Sequence, residues 1–370
     1  MTIRFLFSIV LIILCAACVD RITFDVGSSP SFAIVIDGSI SDQPGPYKIL
    51  VTKAFDIESK LSIKTPISVK RILMSDNLGN NEVLSEVTQG EYQTSPNGIR
   101  GTIGRAYKIQ IELLDGRIYE SVPDTLYPSG SVDSLYHTFK EEKTTEGATN
   151  YGFDVFFNSS AGDQNSYYFL WQFVGTFQVE THPELYTEPC GEGRCPKPLP
   201  CSSYVLGSNG FEYVKVCECC ACWSNLFNDE VIVSDNQLVN NGRFTAVKAS
   251  YVPINRWTFG FKVYAQVNQM SLSRQSFSFW KAVKSQKSAT TSLFQPVTGK
   301  IPSNFIQTNG PSGPIEGIFF ATSIYNKGIF ITQRDIPNPS IIPISDLTFN
   351  DNCINLFPNS TTEKPPFWTD

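Results

Sequence analysis

Apolar and polar residues alternate with a period of two over many short stretches of this chain. In the clearest stretch, Tyr107–Leu113, every second residue from Tyr107 onward is apolar and the residues between are polar. Because successive side chains of a strand point to opposite faces, this pattern predicts a strand with one buried face. Asp115-Gly116 follows directly and favours a tight hairpin turn, so we expect a return strand over Ile118–Val122.

Further apolar runs precede this hairpin, each bounded by Gly, Pro, Asn or Asp. They are Phe32–Ile36, Tyr47–Val51 and Ile67–Met74. Several short strands with frequent turns are typical of a β-sandwich. We therefore expect an immunoglobulin-like sandwich over residues 31–128.

The pattern beyond Ser131 predicts a second, larger β-rich domain over residues 131–354. Tyr151–Phe157 and Phe259–Val267 alternate, whereas Tyr167–Val174 is apolar on both faces. Two late runs, Ile318–Tyr325 and Gly328–Thr332, predict a hairpin joined at Asn326-Lys327. The predicted fold class is thus mainly all-β.

One segment of the second domain has helical rather than strand periodicity. In Ser271–Gln286, five residues recur on one helical face, namely Leu272, Ser276, Phe279, Trp280 and Val283. Ser271 or Ser273 is expected to cap the helix start, and the aromatic stripe is expected to pack in the core. The tail, residues 355–370, is rich in Pro and Thr and is expected to be loose.

The N-terminus predicts export and lipidation. Arg4 precedes an apolar run that ends at Ala16-Ala17, directly before Cys18, which is typical of a signal peptide over residues 1–17. The site resembles the bacterial lipobox, where the cysteine thiol takes diacylglycerol and the new amine is acylated, commonly with palmitate. Cys15 stands where that motif usually has Leu. Residues 18–30 then form a lipidated tether; the alternative is an ordinary cleaved signal that contains cysteines by chance.

Eight cysteines remain after the leader and Cys18 are set aside. Seven lie in a Pro- and Gly-rich insertion over residues 187–228, and the eighth lies near the tail. These disulfide candidates are Cys190, Cys195, Cys201, Cys217, Cys219, Cys220, Cys222 and Cys353. An even number of cysteines in an exported chain with little local core predicts four disulfides, with the pairing left open. Cys353 is then expected to tie the tail to the insertion.

Two other roles are open for these cysteines. Cys217/Cys220 and Cys219/Cys222 are C-x-x-C pairs, which bind zinc or exchange disulfides in other proteins. Their overlap is awkward for one tetrahedral site, and no βαβ pattern of the thioredoxin type surrounds them. We therefore expect no metal and no cofactor.

Aromatic residues are interleaved with the cysteines of the insertion. Tyr204, Phe211, Tyr213 and Trp223 are candidates for an exposed recognition surface, because aromatic side chains dominate binding hot spots. The alternative, which we favour for most of them, is that they pack against the disulfides.

Composition excludes several functions. The net charge of -6 and the lack of a basic cluster argue against nucleic-acid binding. The chain has only 2 histidines and no motif of a serine hydrolase, zinc protease or nucleotide-binding loop, so we predict no catalytic residues and no enzyme.

Several phrases together resemble a family of bacteroidete lipoproteins, the domain-of-unknown-function family 4249. Besides the lipobox start, they include FAIVIDGSI, TPISVKRILMSDNLGNN, AYKIQIELLDGRIYESVPDTL, VDSLY, SLSRQSFSFWKAVKSQ and SLFQPVTGKIPSNF. The resemblance implies an outer-membrane lipoprotein encoded beside TonB-dependent receptors. The expected role is a non-enzymatic accessory or binding subunit of nutrient or siderophore uptake, with a β-barrel receptor as partner. A structural or adhesive envelope protein and a surface hydrolase are the alternatives.

Two triplets resemble the O-glycosylation sites of that phylum. They are Asp124-Thr125-Leu126 and Asp133-Ser134-Leu135, with Thr125 and Ser134 as the candidate acceptors. Both lie at the expected domain junction.

Overall fold

The computed structural model describes residues 33–53, 65–144, 147–161, 168–228, 230–234, 239–240, 242–290, 301–341 and 349–369. These residues belong to one compact unit that begins at Ala33. The predicted signal peptide, the tether and Cys18 lie outside the described residues. Within the described residues, no helix is long and apolar enough to span a membrane.

Strands dominate the described part of the chain, so the prediction of a mainly β fold with one long helix and a cysteine-rich insertion is confirmed. The strands of the first half are β1 (Ile34–Ser41), β2 (Lys48–Lys53), β3 (Thr65–Pro66), β4 (Arg71–Asp76), β5 (Asn81–Val83), β6 (Ser85–Thr88), β7 (Glu91–Gln93), β8 (Ala106–Glu112), β9 (Ile118–Ser121), β10 (Asp124–Thr125), β11 (Ser131–Lys143), β12 (Thr149–Ser160) and β13 (Phe169–Glu180). The later strands are β14 (Thr187–Cys190), β15 (Gly193–Pro196), β16 (Tyr204–Gly207), β17 (Gly210–Tyr213), β18 (Ala221–Phe227), β19 (Ile232–Val233), β20 (Val239–Asn240), β21 (Arg243–Pro253), β22 (Lys262–Ser271), β23 (Phe305–Asn309), β24 (Ile315–Thr322) and β25 (Ile324–Thr332).

Helices are few among the described residues. The long helix is Arg274–Thr290 and a short α-helix is Cys353–Leu356. The 3₁₀ helices are Pro183–Leu185, Pro200–Ser202, Gln333–Asp335 and Pro339–Ile341.

Two sheets form the first sandwich. One has the order β24-β1-β2-β7-β6 with β3 beside β2, and the other has the order β23-β9-β8-β4-β5 with β10 beside β8. Alternating residues of both sheets, among them Ile36, Ile49, Ile72 and Ile109, fill one shared core. The alternation of Tyr107–Leu113 predicted this correctly, because the apolar set of that stretch is buried.

Strands from late in the chain complete the first sandwich, so the predicted span 31–128 does not contain all of it. β24 pairs in parallel with β1, and β23 pairs with β9. Gly317 on β24 has a φ of +95°, and a Cβ there would overlap the backbone carbonyl of Ile36. Glycine thus permits the close approach of β24 to β1.

The predicted hairpin over residues 318–332 is wrong. Asn326 and Lys327 lie inside β25, which pairs with β22, whereas β24 belongs to the other sandwich. The chain passes from one sandwich to the other at Ser323, whose backbone N–H donates to the hydroxyl oxygen of Ser271 at 2.8 Å. Both runs are apolar enough to be strands, but their periodicity does not encode which strand each one pairs with.

The second sandwich consists of the sheets β11-β12-β21-β20 and β18-β13-β22-β25, with β19 beside β13. Large side chains from both sheets, including Phe153, Phe157, Trp171 and Phe244, pack in its core. Their rings meet edge-on or tilted; Trp171 and Phe244, for example, are 5.0 Å apart at 74°, an arrangement that aromatic pairs prefer.

A buried amide joins elements at the junction of the two sandwiches. Gln269 on β22 is fully buried, and its Oε1 accepts from the indole Nε1 of Trp171 at 2.8 Å. Its Nε2 donates to the carbonyls of Ser129 and Ser160. Because its donor and acceptor groups have partners, this buried amide fixes the linker near residue 129 to the core.

The long helix agrees with the segment predicted over residues 271–286. Ser273 is the capping residue: its Oγ accepts from the backbone N–H of Ser276 at 3.1 Å. The predicted aromatic stripe packs against the core, as expected, since Phe279 and Trp280 are partly buried against it and Trp280 meets Phe320 at 6.1 Å. Phe277, which the predicted stripe did not include, stacks on Tyr168 at 4.7 Å.

The C-terminal segment is packed rather than loose. Thr361 exchanges backbone hydrogen bonds with Trp223 at 2.8 and 3.0 Å, which adds the segment to the edge of β18. Phe367 stacks on Tyr264 at 4.2 Å, and Trp368 is buried. The two aromatic residues near the end anchor a segment whose Pro and Thr content had suggested mobility.

Candidate functional site

The cysteine-rich insert, residues 187–228, connects β13 to β18 and carries two small hairpins. β14 pairs with β15, and β16 pairs with β17. A glycine with positive φ lies at each turn: Gly191 (+57°) is in the first loop, and Gly210 (+116°) directly follows the second loop as the first residue of β17. Such turns suit two-residue hairpin loops.

Four disulfides hold the insert, and they confirm the predicted disulfide framework. Their pairings are Cys190–Cys195, Cys201–Cys219, Cys217–Cys220 and Cys222–Cys353. The last bond joins the insert to the C-terminal segment, as the position of Cys353 had suggested. One C-x-x-C pair is therefore a disulfide, while the cysteines of the other pair go to separate partners. No group of three or more metal-ligating side chains occurs among the described residues.

The second hairpin has one apolar face. Tyr204 lies opposite Tyr213, and Leu206 lies opposite Phe211, so these four side chains share a side of the ribbon. The two tyrosine rings are 5.2 Å apart. We call Tyr204, Leu206, Phe211 and Tyr213 the hairpin face.

The hairpin face is open to solvent. Leu206 is 57% exposed, Phe211 39% and Tyr213 59%. Val214 and Val216, just beyond β17, are exposed as well. Exposed apolar side chains that share one side of a ribbon, as those of the hairpin face do, are a candidate interaction site.

Covalent bonds, not burial, keep the hairpin face in place. An isolated two-stranded hairpin is only marginally stable in water. Here the Cys201–Cys219 disulfide and the bond from Ser203 Oγ to the Val216 carbonyl at 2.7 Å close the base of the ribbon. The face is therefore preorganised, which lowers the entropic cost of binding a partner.

Two ion pairs lie near the hairpins. Lys197 bonds Glu188 at 2.6 Å, and Lys215 bonds Glu218 at 2.5 Å. The first pairing raises the pKa of Lys197 through its hydrogen bond to Glu188. These ion pairs leave an apolar surface with a polar rim, the anatomy of a protein interface.

The structure brings three of the four candidate recognition aromatics together, whereas packing against the disulfides was the alternative that we favoured for most of them; their role in recognition stays a prediction. Tyr204, Phe211 and Tyr213 share the hairpin face, but Trp223 does not. Trp223 is 9% exposed on β18 and meets Trp368 edge-on at 6.3 Å. For Trp223 the packing alternative is correct. Leu206 was missed, although its position two residues after Tyr204 places it on the same side.

The two glycosylation candidates occupy different surroundings. Ser134 on β11 is partly exposed and accepts from Asn158 Nδ2 at 2.7 Å, beside the exposed Asp133. Thr125 is partly exposed too, but its neighbour Asp124 is buried. Its Oδ2 accepts from Ser276 Oγ at 2.8 Å and from the Ala321 backbone at 3.1 Å. Of the two candidate acceptors, Ser134 thus lies in the more accessible triplet.

These features define the class: a mainly β protein of two joined sandwiches that presents a disulfide-held hairpin with an exposed apolar face. The chain belongs to the family described as Domain of unknown function (DUF4249), whose model matches residues 19–327. The family resemblance of its sequence phrases is thereby confirmed. No curated protein and no solved structure matches the chain significantly.

Proposed function

We propose that this protein is a non-enzymatic accessory subunit, anchored to the outer membrane through acylated Cys18, that binds a TonB-dependent β-barrel receptor with its hairpin face. The observation that carries the proposal is the solvent-exposed apolar surface formed by Leu206, Phe211 and Tyr213 on a disulfide-held ribbon.

The exposed apolar and aromatic side chains of the hairpin face favour a protein partner. Burial of exposed apolar side chains against a partner lowers the free energy by about 25 cal/mol for each Å² of apolar surface removed from water. Tyrosine and other aromatics are enriched among hot spots, where they fill pockets on the partner and keep a hydroxyl at the rim. Tyr204 and Tyr213 fit that role as neighbours across the ribbon.

The anchor is supported by the N-terminal pattern of Arg4, the apolar run and Ala16-Ala17 before Cys18. More than one acyl chain on that residue gives stable membrane attachment, whereas one chain gives only reversible binding. An anchored subunit is confined to the membrane plane in which a β-barrel receptor lies.

The anchor is tested by cell fractionation of the native protein and of Cys18→Ser. We expect the native chain in the outer-membrane fraction, with a mass increased by diacylglycerol and acyl chains. The variant is expected to lose that mass and leave the membrane fraction. A native chain with an unmodified Cys18 contradicts the proposal.

The partner is tested by co-purification from detergent-solubilised membranes. We expect a TonB-dependent receptor in the complex and its loss in the double variant Phe211→Ser/Tyr213→Ser. Val205→Ser is the matched control, because Val205 is an exposed apolar residue on the opposite side of the same hairpin. A deletion strain with normal uptake but altered adhesion favours a structural role instead.

A further inference from the structure

A cleft lies at one end of the second sandwich, and none of its lining residues belongs to the hairpin face. Its volume is about 560 Å³, and its walls include Gln178, Glu180, Phe261, Lys262, Arg334 and Trp368. We call it the strand-end cleft, because β13 ends there, β22 begins there and β25 ends there.

Sheet register explains why these side chains meet. Lys262 pairs with Thr332, and Val263 pairs with Phe177. Gln178 and Lys262 therefore emerge side by side on the face opposite the buried Phe177 and Val263. Glu180, two residues along β13, points to the same side as Gln178.

One wall of the cleft is fixed. The Lys262 ammonium lies over the rings of Phe330 and Trp368, at 4.6 and 5.4 Å, and donates to the Thr369 carbonyl. Gln333 Nε2 donates to the carbonyls of Phe259 and Gly260 at 2.8 and 3.1 Å. The second set of bonds holds the turn that presents Phe261.

Three other polar side chains of the cleft are available for hydrogen bonds to a ligand. Within the described residues, the side chains of Gln178, Glu180 and Arg334 make no hydrogen bond or ion pair. Phe261 next to them is 40% exposed. The cleft therefore combines an open aromatic ring with an amide, a carboxylate and a guanidinium that are free to bind a ligand.

We propose that the strand-end cleft binds a short neutral oligosaccharide. A sugar ring has an apolar C–H face that packs on an aromatic ring, and hydroxyls at its edge that both donate and accept. The Glu180 carboxylate accepts from hydroxyls, the Arg334 guanidinium donates to them, and the Gln178 amide does both. The volume is within the range of small-ligand sites.

Charge favours a neutral ligand over an ionic one. An anion attracted by Arg334 meets Glu180 in the same cleft, and a cation attracted by Glu180 meets Arg334. The Lys262 charge is already held by two rings and a carbonyl. A neutral ligand with hydroxyl groups can form hydrogen bonds with both Glu180 and Arg334, and neither charge repels it.

The proposal is tested with the purified full chain in detergent, first on a glycan array and then by titration calorimetry with the di- to tetrasaccharides that it identifies. We expect binding of at least one neutral oligosaccharide. Phe261→Ala is expected to weaken it by about tenfold or more, because the aromatic platform is lost. Glu180→Gln and Arg334→Gln are expected to weaken it several-fold.

Phe227→Ala is the matched control. Phe227 is 63% exposed on β18 of the same sheet but lies outside the cleft. We expect its variant to bind like the native chain, and circular dichroism of all variants to match. Three results overturn the proposal: no glycan binds, Phe261→Ala binds as well as the native chain, or a panel of dipeptides binds in the cleft and the saccharides do not.

Discussion

The buried carboxyl of Asp124 shows how a single residue joins the two sheets of the first sandwich to the long helix. It accepts from Ser276 in the long helix and from the backbone of Ala321 on β24. Burial raises the pKa of Asp124, against the opposing effect of hydrogen bonds from Ser273, Ser276 and Ala321. The same residue opens a triplet that suggested glycosylation, so its local sequence did not reveal its buried role.

The raised pKa of Asp124 predicts a pH-dependent stability difference. A raised folded-state pKa means that the folded chain binds the proton more tightly than the unfolded chain, so this contribution to stability declines as pH rises above about 4. Asp124→Asn keeps an accepting oxygen but removes the titration. We expect the free energy of unfolding of the variant, minus that of the native chain, to increase between pH 4 and pH 7, measured by urea denaturation. A constant or decreasing difference contradicts this assignment.

At the scale of elements, the four disulfides differ in how much chain they restrain. Cys222–Cys353 closes a sequence separation of 131 residues, and Cys190–Cys195 closes one of only 5. Removing a cross-link restores more entropy to the unfolded chain when the loop is longer. The long-range bond also joins β18 to the buried Cys353, beneath the C-terminal segment.

We therefore expect Cys222→Ala/Cys353→Ala to destabilise the protein by roughly 2 to 3 kcal/mol more than Cys190→Ala/Cys195→Ala does. Urea denaturation under oxidising conditions measures both losses. Equal losses in the free energy of unfolding would show that loop length does not determine how much each of these disulfides stabilises the protein. Because neither pair belongs to the hairpin face, any change in partner binding should follow stability alone.

Sequence periodicity predicted individual elements better than their partners. The alternation of Tyr107–Leu113 and the helical spacing after Ser273 depend on local geometry, so both were predictable. The parallel pairing of β24 with β1 joins residues nearly three hundred positions apart, and no local pattern encodes it. The disulfide pairing could not be predicted from the sequence either, because eight cysteines allow about 105 connectivities.

The candidate site was predictable to the extent that it is local. Tyr204, Phe211 and Tyr213 were identified from their position among cysteines, and a single hairpin unites them. Trp223 lies in the same stretch but is on β18, where the distant Trp368 covers it. The strand-end cleft was not foreseen at all, since its residues come from three strands, the turn before β22, a 3₁₀ helix and the C-terminal segment.

At the scale of the whole molecule, the two proposed binding sites are built from different parts of the chain. The hairpin face belongs to the insert, whereas the strand-end cleft belongs to the second sandwich and the C-terminal segment. Variants of one should therefore leave the other intact. We expect Phe211→Ser/Tyr213→Ser to keep native glycan binding by calorimetry, and Phe261→Ala to keep the receptor complex. Loss of both activities in either variant would indicate a general folding defect.

The claim that the hairpin face contacts a β-barrel receptor is tested most directly by photo-cross-linking in intact cells. Phe211 or Val205 is replaced by p-benzoylphenylalanine, which places the reactive group on one side or the other of the same ribbon. We expect a cross-link from position 211 to a TonB-dependent receptor, identified by mass spectrometry, and a much weaker one from position 205. Equal yields from both positions, cross-links to lipid alone, or none from position 211 would contradict it.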